Sequence, residues 1–125
     1  MKLLDSTVAI DHLRGEEAAV ALVRELAEQQ EPVAASELTR FEVLAGALPD
    51  EQERVERLFS QIGWIPVEEP IVRRAAALVQ THRPAYPGLD DVDYLIAATA
   101  LEIGAELLTA NVRHFPMFPD LRAPY

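Results

Sequence analysis

The chain has 125 residues, half of them hydrophobic, with 11 lysines and arginines against 21 acids and no cysteine. Its length and apolar share fit a single domain over residues 1–125 with a real core, and the missing cysteine excludes disulfides, a thiol nucleophile and a Cys-based zinc site, which suits a reducing cytoplasm. A net charge of −10, with Lys2 the only lysine, argues against a broad electrostatic nucleic-acid binder. An enzyme that meets nucleic acid through bound metal and a few local arginines stays open.

No segment approaches the roughly 18 apolar residues of a membrane span. The N-terminus meets Asp5 too early for a signal peptide. Lys2-Leu3-Leu4 reads as a short strand that stops at Asp5. Ser6 or Thr7 then caps a helix to about Arg14, which Gly15 ends. Glu16 to Gln30 is a second helix, with Val20, Val23, Leu26 and Ala27 inward. Pro32 to Ala35 is a buried strand, and Ser36 caps a helix to about Leu48 with Leu38, Phe41 and Ala45 as its apolar face. Glu42 lies about 40° from Leu38 on the wheel, which puts an acid on that face.

Pro49-Asp50 starts a helix to about Ile62, and Trp64 to Val67 is an edge strand because Pro66 cannot donate to a ladder. Pro70 opens a helix to about His82, with Ala75, Leu78 and Val79 inside. After a proline-containing loop, a glycine and three acids lead into the most apolar helix, ended near Gly104. On it Ile96, Ala97, Ala100 and Leu101 form one stripe at about 100° per residue. Asp93 projects onto the centre of that stripe, Asp90 onto its edge, and Asp91 the other way. Glu106 to Thr109 is a further strand, followed by a polar turn through His114 and a proline-rich tail with one short strand near Leu121.

Short strands alternating with helices predict an α/β fold with a mainly parallel sheet covered on both faces. Ligands of such folds bind beyond the carboxyl ends of the strands. Asp5 and Asn111 fall just past a strand, and Glu42 and Asp93 lie near the starts of helices that leave the same edge. These four residues, far apart in sequence, are therefore expected to converge on one cleft.

Three converging acids cannot all stay ionised without a cation. An all-oxygen set, with no cysteine and no paired histidines, selects Mg²⁺ or Mn²⁺ over Zn²⁺. The natural chemistry of such a site is phosphodiester hydrolysis by a metal-activated water. Competing phosphate chemistries lack their residues: there is no GxxxxGK[ST] and no GxGxxG. A phospho-acceptor aspartate of the receiver or dehalogenase-like kind needs a lysine after a later strand, and Lys2 stands alone.

Four stretches taken together resemble a known family. They are Leu3-Leu4-Asp5-Ser6-Thr7 with Ile10 to Gly15, Glu42 to Gly46, Asp93 to Ala100, and Leu108 to Phe115. Their order and spacing resemble PIN-domain ribonucleases of the VapC toxin type over nearly the whole chain. The resemblance implies a PIN-like three-layer sandwich and Mg²⁺- or Mn²⁺-dependent endoribonuclease activity. It also implies a cognate antitoxin that occludes the site, and a homodimer. By position, Asp5, Glu42 and Asp93 match the family's first three acids, and the fourth falls at Asn111, a neutral and weaker ligand. His114 stands where many relatives have another aspartate, and Ser6-Thr7 reverses the commoner Thr-Ser pair.

Blander roles stand beside these. Asp5 can cap a helix, Glu42 can bridge an arginine, and Asp93 and Asp91 can answer a helix dipole. Asp90 shares that bland reading but lies on Asp93's side, and Thr109 either finishes a strand or hydrogen-bonds a site carboxylate. Arg14, Arg113 and His114 are solvated cations or contacts for RNA or antitoxin. The Asn at the fourth position and the acidic surface favour an alternative of another class: a catalytically weak PIN-like binding or regulatory module.

Overall fold

The computed structural model describes residues 1–125. Four short strands form one sheet: β1 (Lys2–Leu4), β2 (Val33–Ser36), β3 (Gly63–Ile65) and β4 (Glu106–Leu108), in the order β3-β2-β1-β4. All three pairings are parallel. Around the sheet lie α1 (Ser6–Leu13), α2 (Glu17–Glu28), α3 (Glu37–Gly46), α4 (Gln52–Phe59), α5 (Glu69–His82) and α6 (Asp91–Ile103). Two single 3₁₀ turns, Pro49–Glu51 and Val112–His114, complete the regular structure.

The period-2 alternation of the strands builds the three layers. Leu4, Ala35 and Leu108 point to one face, where they meet Val8, Leu13, Leu26, Val55 and Phe59 of α1, α2 and α4. Leu3, Ala34 and Leu107 point to the other, against Ile96, Ala97 and Ala100 of α6. Helix α5 closes over α6 through Ile71, Ala75, Tyr94 and Ala98. Small side chains on α6 let it lie between sheet and α5, so it is buried almost all round, and it ends at Gly104 in a left-handed turn of φ 66°.

Several expected details shift. Helix α1 begins at Ser6, so Asp5 rather than Ser6 or Thr7 occupies the N-cap position, yet its side chain makes no capping bond. Helix α3 is rotated from the expected face. Thr39 and Val43 are its buried residues, while Phe41 is 62% exposed and Ala45 is exposed. Val43 joins the core on the α1 side of the sheet, and of the expected face only Leu38 packs inward. Ala27 and Leu101 also face solvent. The helix after Pro49 starts as a 3₁₀ turn, Pro49–Glu51, and continues as α4 only to Phe59. Strand β3 lies at the sheet edge as expected but covers Gly63–Ile65, and Pro66 stops it. Near Leu121 there is a turn and no strand.

Candidate active site

The sheet sets the site through its central strand. β1 pairs on both sides, so the residue that leaves its carboxyl end is held by two neighbours. That residue is Asp5, 6% exposed, whose amide donates to the Leu108 carbonyl at 3.0 Å. Its Oδ2 accepts from Thr109 Oγ1 at 2.8 Å and from Thr7 Oγ1 at 3.1 Å. Thr109, fully buried at the end of β4, also accepts from the Asn111 amide at 3.0 Å. Thr7 accepts from the Ala110 amide at 3.0 Å. Two hydroxyls thus fix one carboxylate oxygen and tie the turn after β4 to the start of α1. The other oxygen has no partner in the protein.

Asp5 opens onto a cleft of about 190 Å³, also lined by Ser6, Thr7, Glu42, Asp90, Asp93, Asn111, His114 and Phe115. The four residues expected to converge, Asp5, Glu42, Asp93 and Asn111, therefore line one cleft, and Thr109 sits one layer behind and donates to Asp5. Glu42 comes from the second turn of α3, and it faces the open cleft instead of packing into the core. Asp93 is the third residue of α6, where its Oδ2 faces the Asp90 amide at 3.4 Å, a long version of the N-terminal capping interaction. The same oxygen lies 3.1 Å from Nδ1 of His114. From the sequence His114 is a solvated cation or a contact for RNA or antitoxin, at a position where many relatives of the resembled family have an aspartate; no contact with Asp93 is expected there. Its position on a 3₁₀ turn leaves no periodic signal that would aim it at Asp93.

Electrostatics in the cleft follow from crowding. Burial raises the Glu42 carboxyl above its ordinary range, the Ser6 hydroxyl opposes this, and Asp5, Asp93 and Asp90 push it further up. Burial likewise raises Asp93, against the opposing pull of His114 and the Asp90 amide, with Asp5 and Asp90 adding to the rise. A carboxyl whose folded pKa exceeds its unfolded one holds its proton more tightly when folded. Its contribution to stability is greatest at low pH and is lost as pH rises through the folded pKa. In the metal-free protein, Glu42→Gln with Asp93→Asn should accordingly raise the melting temperature more at neutral pH than at acid pH. Calorimetric scans across this range in chelator check it.

The donor set suits a hard divalent cation: several carboxylates, a carboxamide and hydroxyls, with no sulfur. No three Asp, Glu or His side chains close on a single point as they lie. Mg²⁺ does not need that, since it keeps several waters and takes one or two carboxylates along with substrate phosphate. The cleft therefore fits such an ion.

The PIN-domain family pattern matches residues 2–119. Ribonuclease VapC19 of Mycobacterium tuberculosis is 55% identical over 125 residues, covering all of both chains. Ribonuclease VapC10 of the same organism is 38% identical over all of this chain and 93% of its own. A solved toxin-antitoxin complex from Klebsiella pneumoniae contains a chain that superposes with a TM-score of 0.81 at 29% identity, over 100% of this chain and 98% of that one. The chain belongs to the PIN-domain family and, within it, to the VapC group.

Thr109→Val tests the support behind Asp5. It keeps the shape and removes the donor, so it should cost about 1–3 kcal/mol in urea unfolding. It should also lower divalent-metal affinity by roughly 10–100-fold, the usual cost of losing a group that orients a ligand.

Proposed function

We propose that this chain is a divalent-metal-dependent endoribonuclease, the toxin of a toxin–antitoxin pair, and that its cleft hydrolyses RNA phosphodiesters. The observation that carries the proposal is the fixed Asp5 carboxylate at the end of the central strand, facing Glu42 and Asp93 across one open cleft. The names of its relatives, both ribonucleases, supply the substrate class, and the solved toxin-antitoxin complex supplies an antitoxin partner.

Asp5 and Asp93 would hold Mg²⁺ or Mn²⁺. When bound, such an ion neutralises phosphate charge and lowers the pKa of a coordinated water. Glu42, with its raised pKa, either adds a ligand or orients the attacking water and accepts its proton. Asn111 completes the oxygen set as a neutral donor, and Ser6 and Asp90 border it. His114 restrains Asp93 and offers a nitrogen donor toward substrate phosphate. A homodimer that brings two clefts together belongs to the same reading.

The test is calorimetric titration of partner-free protein with Mn²⁺, alongside cleavage of a mixed RNA pool with and without chelator. Binding and cleavage in wild type, both lost in Asp93→Asn, are expected. Asn111 also favours a second reading, a PIN-like binding module with weak catalysis. That reading gains if no cleavage occurs at any Mn²⁺ concentration while partner binding persists.

A further inference from the structure

Among the side chains that line the acidic cleft, His114 alone carries a nitrogen lone pair, while the other polar ones offer a metal only oxygen. The chain has 3 histidines, and the other two, His12 and His82, lie outside this cleft. The imidazole is also firmly delivered. His114 ends the 3₁₀ turn that follows Asn111, and its amide donates to the Asn111 carbonyl at 3.0 Å. The Asn111 amide in turn donates to the buried Thr109 hydroxyl at 3.0 Å. On the other side Phe115 is sunk in the core. One turn, held at both ends, thus brings a carboxamide and an imidazole to the same cleft.

Nδ1 of His114 lies 3.1 Å from Oδ2 of Asp93. In the metal-free chain this contact restrains Asp93. Two donors at right angles on an octahedral ion with bonds of about 2.1 Å also lie about 3.0 Å apart. The pair therefore needs almost no movement to become one edge of a coordination shell. The ring is half-exposed while Asp93 is mostly covered, so a hydrated ion can meet the pair from the solvent side. No third acid or histidine closes on the same point, which leaves the remaining corners to waters and to carboxylates across the cleft.

A nitrogen in the shell changes which ion is preferred. Mg²⁺ selects oxygen, whereas imidazole suits the later first-row metals, for which affinity rises from Mn²⁺ to Co²⁺. We propose that His114 Nδ1 is a metal ligand beside Asp93, and that it biases the cleft away from Mg²⁺ toward transition-metal ions, Co²⁺ above Mn²⁺. The inference rests on the divalent-metal reading of this cleft and adds to it a ligand and an order of ions. With Nδ1 on the ion, the ring proton sits on Nε2, the nitrogen left to face substrate phosphate.

The test is calorimetric titration of the intact, partner-free chain with Mg²⁺, Mn²⁺ and Co²⁺, on wild type and on His114→Asn. Asparagine keeps an N–H for Asp93 but has no nitrogen lone pair. A purely restraining His114 would therefore leave the order of metals unchanged. Expected in wild type is a preference for Co²⁺ over Mg²⁺, and the ratio of the two affinities should fall at least about tenfold in the variant. Electron spin-echo modulation of the Mn²⁺-loaded wild type should show coupling to one imidazole nitrogen, which changes with ¹⁵N-histidine labelling and vanishes in His114→Asn. The proposal is overturned by a Co²⁺-to-Mg²⁺ ratio that the variant keeps, or by Mn²⁺ bound without nitrogen coupling. A wild type that binds none of the three ions overturns the metal reading of the cleft as well, so the two failures are distinguishable. Neither readout depends on RNA cleavage.

Discussion

Asp5→Asn is expected to lower Mn²⁺ affinity and RNA cleavage together by at least about 100-fold, with Asp93→Asn the one change in the cleft of comparable effect. The ranking follows from placement. Asp5 is the most buried of the four acids and the one held by two hydroxyls on a strand paired on both sides. Asparagine keeps an oxygen for Thr109 and Thr7, so the fold should persist and the loss should report charge alone. Glu42→Gln and Asp90→Asn, on the open walls, should cost less, about tenfold in metal affinity by the same reasoning. Titration calorimetry and a fluorescent RNA assay on the three variants give the order. An Asp5→Asn protein that binds Mn²⁺ like wild type would remove the metal from this cleft.

The largest expected loss of stability is at Phe115. It is 1% exposed, packs with Leu3, Leu107 and Ile96, and also lines the acidic cleft. Truncating a buried phenylalanine to alanine costs about 3–5 kcal/mol through lost burial and the cavity left behind. For a domain of this size that lowers the melting temperature by roughly 10–20 °C. Because Phe115 follows His114 directly, the change should also loosen the hold on Asp93. Phe115→Leu, which retains most of the apolar volume, should recover most of the melting temperature. Equal melting of wild type and Phe115→Ala would show that the turn after β4 is not anchored as described.

The sheet was legible because its strands are short apolar runs bounded by Asp5, Ser36 and Pro66, and each boundary has a mechanism. The convergence of Asp5, Glu42, Asp93 and Asn111 followed from the rule that parallel sheets present their carboxyl edges. The α3 face was not legible. Leu38, Phe41 and Ala45 form an apolar stripe by spacing, yet only Leu38 packs inward and the other two are exposed. Hydrophobic periodicity shows that a face is apolar but does not say which body covers it. His114 was obscured for another reason. Its hold on Asp93 is a contact across the fold that no local pattern encodes, whereas a bond from Thr109 to a site carboxylate was one of that residue's two readings.

The hydrogen bond from Thr109 to Asp5 joins residues 104 positions apart. A chain emerging from the ribosome at about 5–20 residues per second presents Asp5 first and Thr109 many seconds later. Until β4 is out, β1 lacks one of its two neighbours and Asp5 lacks its buried donor. The acidic cleft is thus a late product of synthesis, and an unfinished chain should be inert toward RNA. A protein that cleaves RNA gains from that delay, since it is translated beside the molecules it would otherwise attack. Ribosome-stalled chains ending before residue 106 should accordingly bind no Mn²⁺ at Asp5, and those carrying the full sequence on a long tether should.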